Sequence, residues 1–123
     1  MAVRLRIPRR FSYEEALSIF PVVRDLTEDA VRQVEAITRE IETTDADSAQ
    51  REELETSLQT IVEQWTREIE GLGLQVKGLW LVDWDCGDGY YCWRHPEASL
   101  AHFHGYDEGF ANRVPINLSL IHI

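Results

Sequence analysis

Residues 71–94 have the sequence GLGLQVKGLWLVDWDCGDGYYCWR, and within them the hydrophobic pattern changes its period. Before Gly73, apolar residues recur every three or four positions, which is the spacing of one face of an α-helix. At residues 80–84, tryptophan and valine alternate with other side chains, as in a β-strand. The composition of residues 85–89 is typical of a turn, and residues 90–94 then form the returning strand. We therefore predict helices before this segment and an antiparallel sheet from it onward.

A short helix followed by a long one is predicted between Ser12 and Thr43. The side chain of Ser12 can accept a hydrogen bond from the Glu15 amide while the Glu15 carboxylate reaches back to Ser12, which is a capping box. Pro21 lacks the amide hydrogen that a helix interior requires, so we expect the long helix to begin there. Its apolar stripe at helical spacing consists of Val23, Leu26, Ala30, Val34, Ile37 and Ile41.

A second long helix is predicted after the polar loop at residues 43–48. Asp47 and Gln50 can cap its start, and a glycine at residue 71 or 73 can close its end. Its apolar stripe consists of Leu54, Leu58, Ile61, Trp65, Ile69 and Leu72. Two long amphipathic helices joined by a short loop fold back on each other as an antiparallel hairpin.

The predicted fold class is α+β, in a single domain over residues 1–117. The long antiparallel helical hairpin occupies residues 11–73, and a small antiparallel β-sheet with an irregular segment occupies residues 74–117. A third short strand is expected over residues 99–104. Residues 118–123, LSLIHI, have no turn or cap and match the translation of a transposase end sequence used in library preparation. We therefore expect these last six residues to be a non-native tail.

The formal net charge of −10 excludes some classes of partner. Residues 12–72 carry 16 acidic and 5 basic side chains, and an acidic surface repels phosphate groups. We therefore expect neither nucleic acid nor an anionic membrane as a partner. The only cysteines are Cys86 and Cys92, which are too few for a disulfide framework. Without a recognisable secretory signal, the expected location is the cytoplasm.

The candidate ligands for a metal ion are concentrated in the predicted sheet. His102 and His104 are two residues apart, so on a strand both side chains point to the same face. Asp83, Cys92 and Glu97 lie nearby in sequence and could complete a site for a divalent metal such as zinc. The alternative is that the histidines are half-exposed strand residues without a ligand. No Walker loop, dinucleotide-binding fingerprint or zincin motif is present.

A second group of candidates could hold a small ligand. Arg94, Glu97 and Arg113 could form either an anion site with arginine clamps or a purely structural ion-pair network. Structural pairing is the favoured interpretation of these three residues. With His104, which can serve as ligand, acid or base near neutral pH, they complete the candidate ligand-binding set.

Several segments of the chain resemble a known family. They are RFSYEEA at 10–16, PVVR at 21–24, LVD at 81–83, CWR at 92–94 with Glu97, and His104 followed by Gly109, Phe110 and Arg113. Together they resemble domain of unknown function 2203 over about residues 9–116. The resemblance implies a small bacterial-type cytoplasmic protein without an established activity. It also implies a polar set at Asp83, Cys92, Arg94, Glu97, His104 and Arg113.

Two functional hypotheses follow. The first, slightly favoured, is a non-enzymatic interaction module that forms a homodimer through a coiled coil of its helical hairpin. The second is a small metal- or anion-binding domain, and conceivably an enzyme, with its site in the C-terminal sheet. The first is favoured because no reactive pair stands at a recognisable catalytic spacing.

Overall fold

The computed structural model describes residues 9–43, 45 and 47–116, and in these residues two helices precede a five-stranded antiparallel sheet. Helix α1 spans Tyr13–Thr43 and helix α2 spans Ser48–Gly71. The strands are β1 (Gln75–Gly78), β2 (Leu81–Asp85), β3 (Tyr90–Arg94), β4 (His102–His104) and β5 (Val114–Pro115), with a 3-10 helix (Phe110–Asn112) before β5. Each strand pairs with the next one in chain order. The predicted α+β class is confirmed. The expected tail at 118–123 and both predicted domain limits lie outside the described residues.

Both predicted capping boxes are present. The Ser12 amide donates to Glu15 Oε1 at 2.9 Å, and the Glu15 amide donates to Ser12 Oγ at 3.1 Å. At the start of α2, Asp47 and Gln50 exchange the same two hydrogen bonds at 3.2 and 2.9 Å. These bonds satisfy amides that a helix N-terminus leaves without an intrahelical partner. No helix in the described part of the chain combines the length and apolar character that crossing a bilayer requires.

The predicted division of the first helix at Pro21 is wrong, because α1 continues through this residue. A proline inside a helix costs about 3 kcal/mol, since it removes one hydrogen bond and crowds the preceding turn. Pro21 is exposed, so water can reach the Leu17 carbonyl that loses its partner. Phe20 and Val23 on the opposite side are buried, and each contributes roughly 1.5–3 kcal/mol by burial. The burial of Phe20 and Val23 therefore outweighs the free-energy cost of placing a proline inside the helix.

The sheet has two more strands than the sequence predicted. The additional strands, β1 and β5, are four and two residues long and lie at the two edges of the sheet. Gly78 and Pro115 have low strand propensity, so these edges form by pairing with β2 and β4 rather than by local preference. Strand β4 is also shorter than the predicted 99–104, since it contains only His102–His104.

One face of the sheet packs against the helices and forms the core with them. The ring of Phe20 lies 5.3 Å from that of Trp93 on β3, and the ring of Trp65 lies 4.9 Å from that of Trp80 in the turn between β1 and β2. All buried helical residues belong to the part of the hairpin nearest the sheet: Ala16, Phe20, Val23, Thr27, Ala30, Trp65 and Ile69. The described residues of 31–64, which we call the distal hairpin, are half-buried or exposed. The hairpin thus has a packed base and a distal part supported by helix–helix contact.

Candidate metal centre

The face of the sheet turned away from the helices carries polar side chains. Because successive strand residues point to opposite faces, the residues between the core-facing Val82, Trp84 and Trp93 lie on this outer face. The strand register places Asp83 directly opposite Cys92. On β4, the alternation places His104 on the same face. Three neighbouring strands therefore each present at least one potential metal ligand on the outer face, and β4 presents both His102 and His104 there.

These three residues form a compact buried group, which we call the Asp–Cys–His cluster: Asp83, Cys92 and His104. One potential ligand atom from each lies within 4.8 Å of the other two. Nε2 of His104 and Oδ2 of Asp83 are 2.9 Å apart. Only 1%, 1% and 3% of Asp83, Cys92 and His104 are exposed. Polar groups of this kind are seldom buried unless they are paired or bind a cation.

A second layer of side chains adjoins the cluster on the outer face. The Tyr90 ring lies 5.3 Å from the His104 ring. Nζ of Lys77 lies 4.2 Å from the centre of the Tyr90 ring and 3.9 Å from Asp83 Oδ2. The Lys77 side chain is 38% exposed, so it connects the buried Asp83 carboxylate to solvent.

The ring of His104 lies between two hydrogen-bond acceptors. Nδ1 lies 2.9 Å from the carbonyl oxygen of Gly105, and a carbonyl can only accept, so Nδ1 carries a hydrogen. Nε2 faces the Asp83 carboxylate, which is also an acceptor when ionised. A neutral ring would therefore point its Nε2 lone pair at a negative oxygen. A proton on this contact, or a metal ion that binds both atoms in its place, removes this conflict.

The surroundings of Cys92 favour a neutral thiol when no metal is bound. Burial raises the pKa of the Cys92 thiol, and the Asp83 carboxylate raises it further, while the Arg113 guanidinium opposes both. A nucleophilic cysteine instead needs a lowered pKa and access to substrate. In a Cys–His–Asp catalytic arrangement, one ring nitrogen contacts the carboxylate and the other contacts the sulfur. Here the second nitrogen of His104 is bound to the Gly105 carbonyl, so the geometry does not fit nucleophilic catalysis.

Asp83 has one carboxylate oxygen left over. Its Oδ1 is buried and has no hydrogen-bond partner among the described residues. An orphaned buried carboxylate oxygen is costly, because nothing replaces its hydration. The oxygen is therefore available to a ligand that enters the cluster.

A separate ion pair lies next to the cluster. Nη1 and Nη2 of Arg113 donate to Oε1 and Oε2 of Glu97 at 3.0 and 2.7 Å, and the Arg94 amide donates to Glu97 Oε1 at 2.8 Å. Although burial opposes its ionisation, the hydrogen bonds from Arg113 and Arg94 lower the pKa of Glu97. The guanidinium of Arg113 also lies 3.9 Å from the centre of the Phe110 ring. Since Glu97 occupies both terminal nitrogens of Arg113, this geometry favours a structural ion pair over an anion clamp.

The structure distributes the predicted site residues over these two groups. Of the predicted metal ligands, Asp83, Cys92 and His104 come together, whereas His102 lies beside the ion pair, with Nδ1 at 3.9 Å from Glu97 Oε2. Of the predicted ligand-binding set, Glu97 and Arg113 pair with each other. Arg94 contributes its backbone amide, and His104 belongs to the cluster.

Two partners of the cluster were missed by sequence reasoning. Lys77 lies on β1, a strand that the hydrophobic pattern did not predict. Gly105 contributes its backbone carbonyl, and no side-chain pattern in the sequence marks this contact. Predicting β1 as an edge strand antiparallel to β2 would have placed Gln75 opposite Asp83 and brought Lys77 into consideration.

The comparisons with known proteins identify a family but no characterised relative. A family model described as "Uncharacterized conserved protein (DUF2203)" matches residues 9–116, which include both helices and all five strands. Among curated proteins and among solved structures, no match to the chain was found. The three residues of the cluster and the neighbouring ion pair all lie within the matched residues.

Proposed function

Because the chain belongs to the DUF2203 family, whose description assigns no activity, its chemistry has to be argued from its own residues, and we propose that it binds one divalent transition-metal ion through the Asp–Cys–His cluster. The observation that carries the proposal is the convergence of three buried donor atoms from three adjacent strands within 4.8 Å. A metal ion bound to both residues would remove the conflict between the Nε2 lone pair of His104 and the Asp83 carboxylate.

The donor set points to zinc among the common metals. A sulfur donor is unsuited to magnesium and calcium, which prefer oxygen ligands, whereas zinc accepts sulfur, nitrogen and oxygen together. His104 would use Nε2 as the ligand atom. Its Nδ1 hydrogen already faces the Gly105 carbonyl, which is the outer contact that usually orients a metal-bound histidine.

Metal binding would also change the protonation of Cys92 and give Asp83 Oδ1 a partner. The thiol of Cys92 would lose its proton, as a metal-bound cysteine does. The orphaned Oδ1 of Asp83 would gain either the metal or a molecule bound to it. Three protein ligands leave one position of a tetrahedral site open, so the geometry permits an exchangeable fourth ligand.

Cobalt titration of metal-free protein tests this proposal, because cobalt occupies zinc sites and its bond to sulfur absorbs light. We expect one cobalt per chain, a sulfur-to-cobalt band, and a dissociation constant below about 1 µM. Cys92→Ser should lose the band and weaken binding by about 100-fold or more, since it removes a metal ligand.

Cys86→Ser is the matched control for this experiment. Cys86 is the other free cysteine, and its Sγ donates to the Gly89 carbonyl at 3.3 Å, a bond that a serine hydroxyl can keep. We expect Cys86→Ser to bind cobalt as the wild type does. Loss of the band in Cys86→Ser but not in Cys92→Ser, or no saturable binding to the wild type, would refute the proposal.

Self-association is a second candidate function, and the distal hairpin favours it. Its apolar stripe is only half-buried in the described chain, at Val34, Ile37, Ile41, Leu54 and Leu58. Pairing two hairpins into a four-helix arrangement would cover this stripe, and twofold dimers are the commonest soluble oligomers. The proposed partner is therefore a second copy of the chain.

The dimer should respond to salt in an unusual direction. Acidic side chains dominate the hairpin, so like charges oppose the contact and salt should strengthen it by screening them. Light scattering at micromolar concentration should show twice the chain mass. Leu58→Glu should shift this to one chain mass, whereas Leu17→Glu, at an exposed apolar site outside the distal hairpin, should not. A monomeric wild type at both low and high salt would rule out self-association.

A further inference from the structure

We infer that the metal's open position takes a small oxyanion, a carboxylate or a phosphate, which the Lys77 ammonium also binds. The inference rests on the proposed metal site and adds the class of its exchangeable ligand. Nζ of Lys77 lies 3.9 Å from Asp83 Oδ2, and the Lys77 side chain is partly exposed to solvent.

The cluster with a divalent metal bound would carry no net charge. A divalent ion brings two positive charges, and the Asp83 carboxylate and the Cys92 thiolate bring two negative ones. His104 is neutral as a metal ligand, so the metal and its three ligands are together neutral. Asp83 would then share its charge with the metal, and Lys77 would lose much of the attraction of its present counter-ion.

Among the described residues near the cluster, Lys77 is the cation that is free to bind an anion. Arg113 lies on the other side of Cys92, but both of its terminal nitrogens are bound to Glu97 and its side chain is only 11% exposed. Lys77 has three ammonium hydrogens and no hydrogen bond to a side chain in the described residues, since its 3.9 Å contact with Asp83 exceeds hydrogen-bond length. The positive charge of Lys77 beside an electrically neutral metal centre would attract an anion.

We place the entrance of the anion beside the Lys77 side chain. The cluster residues are almost fully buried, whereas the Lys77 side chain reaches from Asp83 to solvent along the Tyr90 ring. A ligand that approaches along Lys77 would meet the metal and the ammonium together. A carboxylate or phosphate has at least two oxygens, so one can bind the metal while another accepts from Nζ.

The test uses full-length protein loaded with cobalt and titrated separately with acetate and with inorganic phosphate. Binding of an anion at the open position changes the visible cobalt spectrum. We expect a saturable change with at least one of the two, and no anion binding to metal-free protein by calorimetry. The two titrations separate a carboxylate ligand from a phosphate ligand.

Lys77→Met should keep one cobalt per chain and weaken anion binding by about tenfold or more, because it removes a charge-assisted hydrogen bond. Arg67→Met removes the same charge from an exposed position of α2 and should leave anion binding unchanged. Equal anion affinity in Lys77→Met and the wild type, or a cobalt spectrum that neither anion alters, would overturn the inference while the metal site stands. Failure to bind cobalt at all would overturn both.

Discussion

His104→Ala is expected to reduce metal affinity by more than about 100-fold and to destabilise the metal-free protein by about 3–5 kcal/mol. The first effect follows because the substitution removes the proposed nitrogen ligand. The second follows because Asp83 Oδ2 loses its 2.9 Å partner, which leaves the buried carboxylate with the neutral Cys92 thiol and with Lys77 at 3.9 Å. Cobalt titration measures the affinity, and urea unfolding measures the free energy.

His104→Gln separates the two roles of this histidine. The glutamine amide can still donate to Asp83, so we expect much of the stability to return, whereas metal binding should stay lost. His102→Ala is the control, since His102 lies on the same strand but outside the cluster, and it should bind cobalt normally. A His104→Gln variant with wild-type cobalt affinity would show that His104 is not a ligand.

Trp65→Ala is expected to lower the free energy of unfolding by about 3–5 kcal/mol, the usual range for truncating a buried aromatic side chain. Trp65 is one of the two buried residues of α2, and its ring meets that of Trp80 edge-on at 4.9 Å. Its Nε1 also donates to Thr27 Oγ1 at 2.9 Å, a buried link between the two helices. The substitution therefore removes contacts that α2 makes with α1 and with the turn between β1 and β2.

Leu54→Ala in the distal hairpin is the comparison for Trp65→Ala. Leu54 belongs to the same apolar stripe but is only half-buried, so we expect a loss below about 1.5 kcal/mol. Both variants can be measured by urea unfolding at a concentration where the chain is monomeric. Losses of similar size at the two sites would contradict the division of the hairpin into a packed base and a lightly packed distal part.

The helices were predictable because their signals are local. Two capping boxes mark where α1 and α2 begin, and apolar residues at helical spacing mark which sides they bury. Both signals come from residues within the helices or at their ends and do not depend on the rest of the chain. Pro21 misled the prediction because burial of Phe20 and Val23 offsets its local cost. Strands β1 and β5 were missed because such short edges depend on their neighbours, and no local pattern marks them.

The candidate site was predictable as a region but not as a set of contacts. His104 was named from residue type and strand alternation, and Asp83 and Cys92 were named from residue type and nearness in sequence. His102 could not be distinguished from His104, because both point to the same face. The end of β4 separates them, since only His104 has its ring between the Gly105 carbonyl and the Asp83 carboxylate. That difference arises from strand register and backbone course, which the sequence pattern does not encode.

The most direct measurement is the metal content of untagged protein purified without chelator. If the Asp–Cys–His cluster is a metal site, elemental analysis should find one transition-metal ion per chain, with zinc the expected element. Removing it should lower the thermal midpoint, by about 10 °C if the metal was present at 100 times its dissociation constant. Protein that contains no stoichiometric metal, and whose thermal midpoint does not change when zinc is added, would contradict the proposed metal centre.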